Sequence, residues 1–225
     1  MTSLFFDTNV CIGYIFKWDP WHEKATELIS NHIESYFSQT VLDEIFKVFN
    51  KLIKEYIKFL EQLNQEILIN KKETFYESDL IQLSHKLQIK IENSKNKSID
   101  RERIVMSLWN DKGGYDISKN QLLTYIEDLI FNFKKFSFTR LEKCINQFIL
   151  HPKTDNYDNL KQIFIKNDIH FPDWQICLDA NDLSYQLNNL TFVTADYNLI
   201  KSLESIMDKT NITDILKLDK LSIFN

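Results

Sequence analysis

The chain has little of several features that would announce a function directly. Among its 225 residues there are three glycines, three cysteines and five histidines. With so few glycines there is no Gly-rich loop of the kind that lets a strand-to-helix turn close around a phosphate. The histidines (His22, His32, His85, His151, His170) show no i, i+4 ligand spacing, so none is assigned to a metal and zinc is not expected. Cys11, Cys144 and Cys177 are odd in number, widely spaced and set in apolar runs, which points to buried free thiols rather than a disulfide framework. No apolar run approaches the roughly 18 residues of a membrane-spanning helix. The segment from Met1 to Asp7 has no basic stretch followed by an apolar run and a cleavage site, so a cytoplasmic protein without membrane contact is expected. Net positive charge is missing too: the formal charge is −5, which argues against coating nucleic acid by charge alone. Internal repeats and low-complexity linkers are absent.

What is present is an ordinary globular composition, 44% hydrophobic and 26% charged. A chain of this length buries one good core with an elaboration but is short for two independent domains. Leu4-Phe5-Phe6 reads as a short buried strand ending at Asp7, because a compact apolar run closed by a polar residue fits a strand covered on both faces. Pro20 and the residues from Trp21 to Asn31 suggest a helix, and Tyr36-Phe37-Ser38 a second strand. Val41, Leu42, Ile45, Val48, Phe49, Leu52 and Ile53 recur at helical spacing, and the pattern runs on toward Leu68. Residues from about 50 to 150 are helical in character, with breaks at Asn93 to Lys97 and at Gly113-Gly114. The last third returns to alternation: a helix from Pro172-Asp173 to about Leu187, a strand over Leu190 to Thr194, a short helix from Leu199 to Lys209, and a last strand within Ile212 to Leu218. This order implies an α/β fold around a parallel sheet, with a helical insertion at about 50–160.

Two strands end alike, in Phe5-Phe6-Asp7-Thr8-Asn9 and Phe192-Val193-Thr194-Ala195-Asp196. In one parallel sheet both aspartates would emerge at the C-terminal edge, where open α/β sheets bind ligands. Glu44, near the start of one helix, and Asp173, opening another, would face the same edge. Four converging carboxylates raise one another's pKa unless a cation compensates, and oxygen-only ligands select hard cations such as Mg²⁺ or Mn²⁺. Such a site hydrolyses phosphodiesters without a serine, cysteine or histidine nucleophile. Thr8, Asn9 and Thr194 are candidates to orient the carboxylates, although each also suits a local turn.

Asp7-Thr8-Asn9, Val41-Leu42-Asp43-Glu44, the helix-opening Asp173 and Thr194-Ala195-Asp196 occur in the order and contexts of the PIN-domain nucleases, which the chain resembles over roughly residues 1–50 and 165–225. The resemblance implies a single PIN-like (Rossmann-like) three-layer α/β/α domain over 1–225. It implies metal-dependent endoribonuclease activity on RNA, with Asp7, Glu44, Asp173 and Asp196 as catalytic metal ligands. Cys177 and Ala180 follow Asp173 at +4 and +7, as in the family. Asp179 is the alternative or additional ligand, although on an ideal helix it points about 120° away from Asp173. The resemblance further implies a bacterial toxin or defence nuclease restrained by an inhibitory partner protein. The helical middle, which exceeds a minimal PIN domain, would choose the RNA or mediate a homodimer. Between residues 86 and 103 six basic residues, among them Lys95, Lys97, Arg101 and Arg103, face three acidic ones. That run and Trp174, a stacking candidate beside Asp173, are the expected nucleic-acid contacts. Two other readings stay open. One is a PIN-like scaffold that binds RNA or protein without cutting. The other is a phosphohydrolase or phosphotransferase using Asp7 as nucleophile, which lacks a second Asp two positions on, where Asn9 stands.

Overall fold

A computed structural model describes residues 3–31, 34–91 and 99–220. In chain order its elements are β1 (Ser3–Phe6), α1 (Thr8–Ile15), α2 (His22–Asn31), β2 (Ser35–Ser38), α3 (Gln39–Ile69), β3 (Thr74–Phe75), α4 (Glu77–Ile91), α5 (Arg101–Asp111), β4 (Ile117–Ser118) and α6 (Lys119–Gln147). There follow β5 (Ile149–His151), α7 (Asp158–Lys166), α8 (Asp173–Leu187), β6 (Leu190–Thr194), α9 (Tyr197–Glu204) and β7 (Asp214–Lys217). Two compact units are formed, one from residues 1–48 and 140–225 and one from 49–139.

The first unit is α/β. Its five strands pair in parallel throughout, in the order β5-β2-β1-β6-β7. The chain works outward from β1 to β2 and β5, then returns to β6 on the other side of β1 and continues to β7. The order therefore reverses between β1 and β6, and right-handed crossovers on either side of such a reversal cover both faces of the sheet. Burial agrees: every residue of β1 and β6 is buried. Phe5 stands opposite Phe192 in the register, and their rings stack at 5.9 Å between centroids. Phe148 closes the layer against Phe6 and Phe37, at 5.1 and 5.7 Å. Such ring pairs add about 0.5–1.5 kcal/mol each beyond simple burial, which holds short strands of four or five residues in register. Cys11, Cys144 and Cys177 are all buried free thiols.

Helix packing places the helix starts. Gly13 lets α1 and α2 approach closely, since a Cβ there would lie 3.1 Å from Cβ of Trp21 and 3.4 Å from that of Ala25. α8 is buried almost all round, and its buried polar side chains are bonded: Asn181 accepts from the backbone N–H of Asn211, and Ser184 donates to the Asn211 carbonyl. Because α1, α3 and α9 follow parallel strands and α8 runs back toward the start of β6, all four begin at the C-terminal edge of the sheet.

The second unit is helical, with a small antiparallel pairing of β3 and β4. The break expected at Gly113-Gly114 is the turn after α5, where both glycines take positive φ, 86° and 72°. The break expected at Asn93 to Lys97 lies outside the described residues. The helical insertion expected at about 50–160 corresponds to a unit of 49–139; the sheet takes the chain back earlier because Ile149–His151 pairs with β2. Among the described residues no helix is long and apolar enough to cross a membrane.

Candidate active site

Asp7 leaves β1 in an extended conformation and caps α1, its Oδ1 accepting from the Thr8 N–H at 2.6 Å. Its Oδ2 accepts from the Asn9 amide at 2.7 Å and from the Thr194 hydroxyl at 2.6 Å. Thr194, the last residue of β6, also accepts from Asn9 and from the Asp196 N–H, both at 3.0 Å, so its one donor and two lone pairs are all used. Asn9 turns its carbonyl oxygen to the Ala195 N–H at 2.8 Å. The two strand ends on either side of the reversal are thereby stapled together through Asn9 and Thr194.

Glu44 projects from the second turn of α3, and its Oε2 accepts from the Thr8 hydroxyl at 2.6 Å. Asp196 caps α9, taking the N–H groups of Asn198 and Leu199 on the same oxygen at 2.8 and 3.1 Å. Asp173 is the first residue of α8. Thr8, Asn9 and Thr194 thus each bond a carboxylate of the set.

Two of the four acids are held well above the usual carboxylate range. The Asp7 carboxyl is pushed up to about 7, chiefly by burial, with the charges of Asp173 and Glu44 adding and the bonds from Thr194 and Thr8 opposing. Asp173 is pushed up to about 6 by burial and by Glu44 and Asp196, with exposed His170 pulling the other way. Among the described residues no Lys or Arg forms an ion pair with any of the four. Nor, among those residues, does any group of three or more His, Cys, Asp or Glu stand ready to hold a metal ion. Both oxygens of Asp7 and one of Asp196 already accept hydrogen bonds. The donor set still suits a hard cation: Mg²⁺ binds through one or two carboxylates and keeps water and phosphate oxygens for its other positions.

Asp179 has a different place. It is fully buried, and takes the Thr40 hydroxyl at 2.7 Å, the Thr154 N–H at 2.9 Å and the Gln175 amide at 3.0 Å, so both of its oxygens are engaged away from the other acids.

Two hollows flank the carboxylates. A groove of about 630 Å³ is lined by Asp173 and Asp196 with Lys166, Lys201 and Ser202. A pocket of about 260 Å³ is lined by Glu44, Asp43, Lys47, Lys153, Phe171 and Pro172. Trp174 is half-buried, with the Lys161 ammonium 4.4 Å from its ring centroid, whereas Phe171 beside it is 67% exposed. Sequence reading passed over Phe171, Lys47 and Lys153. The available signals were an aromatic directly before Pro172-Asp173 and a lysine three positions after Glu44, one turn along the same helix face. Lys95 and Lys97 lie outside the described residues. Arg101 and Arg103 open α5 in the second unit, with the Arg101 guanidinium 5.9 Å from the Phe59 ring centroid.

Compared with known proteins, the chain matches no family model, no curated protein and no solved structure.

Proposed function

We propose that the chain is a metal-dependent endoribonuclease with a PIN-like, three-layer α/β/α domain, hydrolysing RNA phosphodiester bonds at Asp7, Glu44, Asp173 and Asp196. One observation carries the reading: at the strand ends Glu44 acts on both Asp7 and Asp173, and Asp173 and Asp196 add to the repulsion, while among the described residues no Lys or Arg forms an ion pair with any of the four. Carboxylates brought together around a buried Asp7 repel one another unless a cation compensates, so such a cluster is expected where a cation binds. Bound Mg²⁺ or Mn²⁺ would activate water and neutralise charge building on the phosphate. Asp7 and Glu44, held by Thr194, Asn9 and Thr8, serve as the fixed ligands. Asp173 and Asp196, which line the open groove, serve as the adjustable ones. Asp173 rather than Asp179 is the third ligand, because Asp173 lies within electrostatic reach of Asp7, Glu44 and Asp196, whereas Asp179 is bonded to Thr40, Thr154 and Gln175 away from them. The helical unit takes the task of selecting RNA or pairing two copies. The sequence resemblance extends the reading to a toxin or defence nuclease held in check by a partner protein.

The competing reading is a scaffold that binds RNA or protein without cutting, favoured by the complete hydrogen bonding of the Asp7 carboxylate. Cleavage of total RNA with Mg²⁺, Mn²⁺ or EDTA, beside Mn²⁺ titration calorimetry, separates the two. Metal-dependent cutting should fall by at least about a hundredfold in Asp7→Asn and Asp196→Asn. Folded wild type that binds Mn²⁺ without cutting favours the scaffold, and wild type that binds no Mn²⁺ removes the site.

A further inference from the structure

Exposed aromatic rings occur elsewhere on the chain, so exposure alone does not single out Phe171. Its surroundings do. Phe171 and Pro172 form one wall of the pocket whose other walls carry Glu44, Lys47 and Lys153. Trp174 backs the ring at 5.8 Å between centroids, and Lys161 braces Trp174 in turn, so the exposed ring is supported from within its own unit. Lys47 and Lys153 are both exposed and, among the described residues, neither is in an ion pair. At about 260 Å³ the pocket falls below the ~300–1,000 Å³ of drug-sized ligand sites, a scale suited to a single ring system. A flat apolar ring beside two free ammonium groups offers a stacking surface and phosphate contacts together, the combination by which proteins hold single strands.

We propose that Phe171, Lys47 and Lys153 form a nucleotide subsite that takes one unpaired base of an RNA strand beside the carboxylates, with the base stacked on Phe171 and the flanking phosphates on the two lysines. The subsite deepens the nuclease reading and rests on it only for where the scissile bond lies. A duplex is a poor occupant, since its bases are stacked on each other and unavailable to Phe171.

The test is fluorescence anisotropy of a labelled, short, mixed-sequence single-stranded RNA in EDTA, where binding is read without cleavage, with the same sequence as a duplex for comparison. Phe171→Ala should weaken single-strand binding by roughly 5- to 150-fold and Phe171→Trp should restore it, a stacked base being worth about 1–3 kcal/mol. The double variant Lys47→Ala/Lys153→Ala should reduce the salt slope of binding by about 1.4, from ~0.7 per phosphate contact. Because Phe171 is largely exposed, both of its variants should unfold at the wild-type temperature, which thermal melts verify. Equal binding by wild type and Phe171→Ala, duplex binding as tight as single-strand binding, or no binding by wild type overturns the proposal. Chain that binds through Phe171 but does not cut with Mg²⁺ or Mn²⁺ keeps the subsite and loses the nuclease reading. Chain that cuts while Phe171→Ala binds unchanged loses the subsite and keeps the nuclease.

Discussion

At Asp7 burial and hydrogen bonding pull in opposite directions, and burial wins. Three donors stabilise its ionised form, yet the carboxyl is still raised to about 7, because desolvation outweighs them and Asp173 and Glu44 add repulsion. A carboxyl whose folded pKa exceeds its unfolded value of ~3.9 binds its proton more tightly in the folded chain. Its contribution to stability is therefore full below about pH 4 and is lost as pH rises through about 7; for Asp173 the window closes at about 6. Urea unfolding in EDTA should show stability rising as pH falls from 8 toward 5, by about 3 kcal/mol from Asp7 alone. Asp7→Asn should flatten much of this slope. Its absolute stability is a poorer guide, because an amide placed opposite the Asn9 amide sets two donors against each other. An unchanged slope in Asp7→Asn would falsify the assignment of Asp7 as the raised group.

α8 carries two aspartates with opposite roles, and the element explains why. Asp173 opens the helix at the strand-end edge beside other acids, whereas Asp179 lies nearly two turns further in, among donors from α3, the Thr154 loop and α8 itself. Removing Asp179 leaves buried donors without a partner, so Asp179→Ala should lower stability by about 3 kcal/mol in urea denaturation. Asp173→Asn relieves repulsion, and in EDTA at pH 8 should be as stable as wild type or more so. A helix that loses equal stability from both substitutions would place the two aspartates in one structural role. The same element view accounts for the gaps in sequence reading. α1 is too evenly buried to show an amphipathic stripe, six of its eight residues being buried. β5, at three residues, is too short for alternation to register, and α7 after it was likewise not read.

For the molecule as a whole, a formal charge of −5 hides a concentrated cluster at one edge of the sheet. A ligand that binds only the folded chain stabilises it by RT ln(1 + [L]/Kd), about 2.7 kcal/mol at a hundredfold excess over Kd. Mn²⁺ should therefore raise the unfolding midpoint at pH 8 and be reversed by EDTA, with a smaller effect at pH 5, where Asp7 and Asp173 hold protons that compete with the metal. Calorimetric melts at the two pH values measure this directly, and a shift independent of pH would point to metal binding away from the cluster.

The sequence by itself determined the alternation of strands and helices at both ends, the aspartate after each of two strands, and the placing of Glu44 and Asp173 near helix starts. These features are local: apolar runs, periodicity and turn residues act over a few positions. Only the tertiary structure decided that β6 returns beside β1, so that Asn9 and Thr194 join strand ends 185 positions apart. It also decided that Asp179 is spent on Thr40 and Thr154, and that Phe171 rather than Trp174 presents the open ring. Each of these depends on which distant donor, ring or ammonium group arrives alongside, and that is fixed by strand order and helix packing rather than by neighbours in the chain.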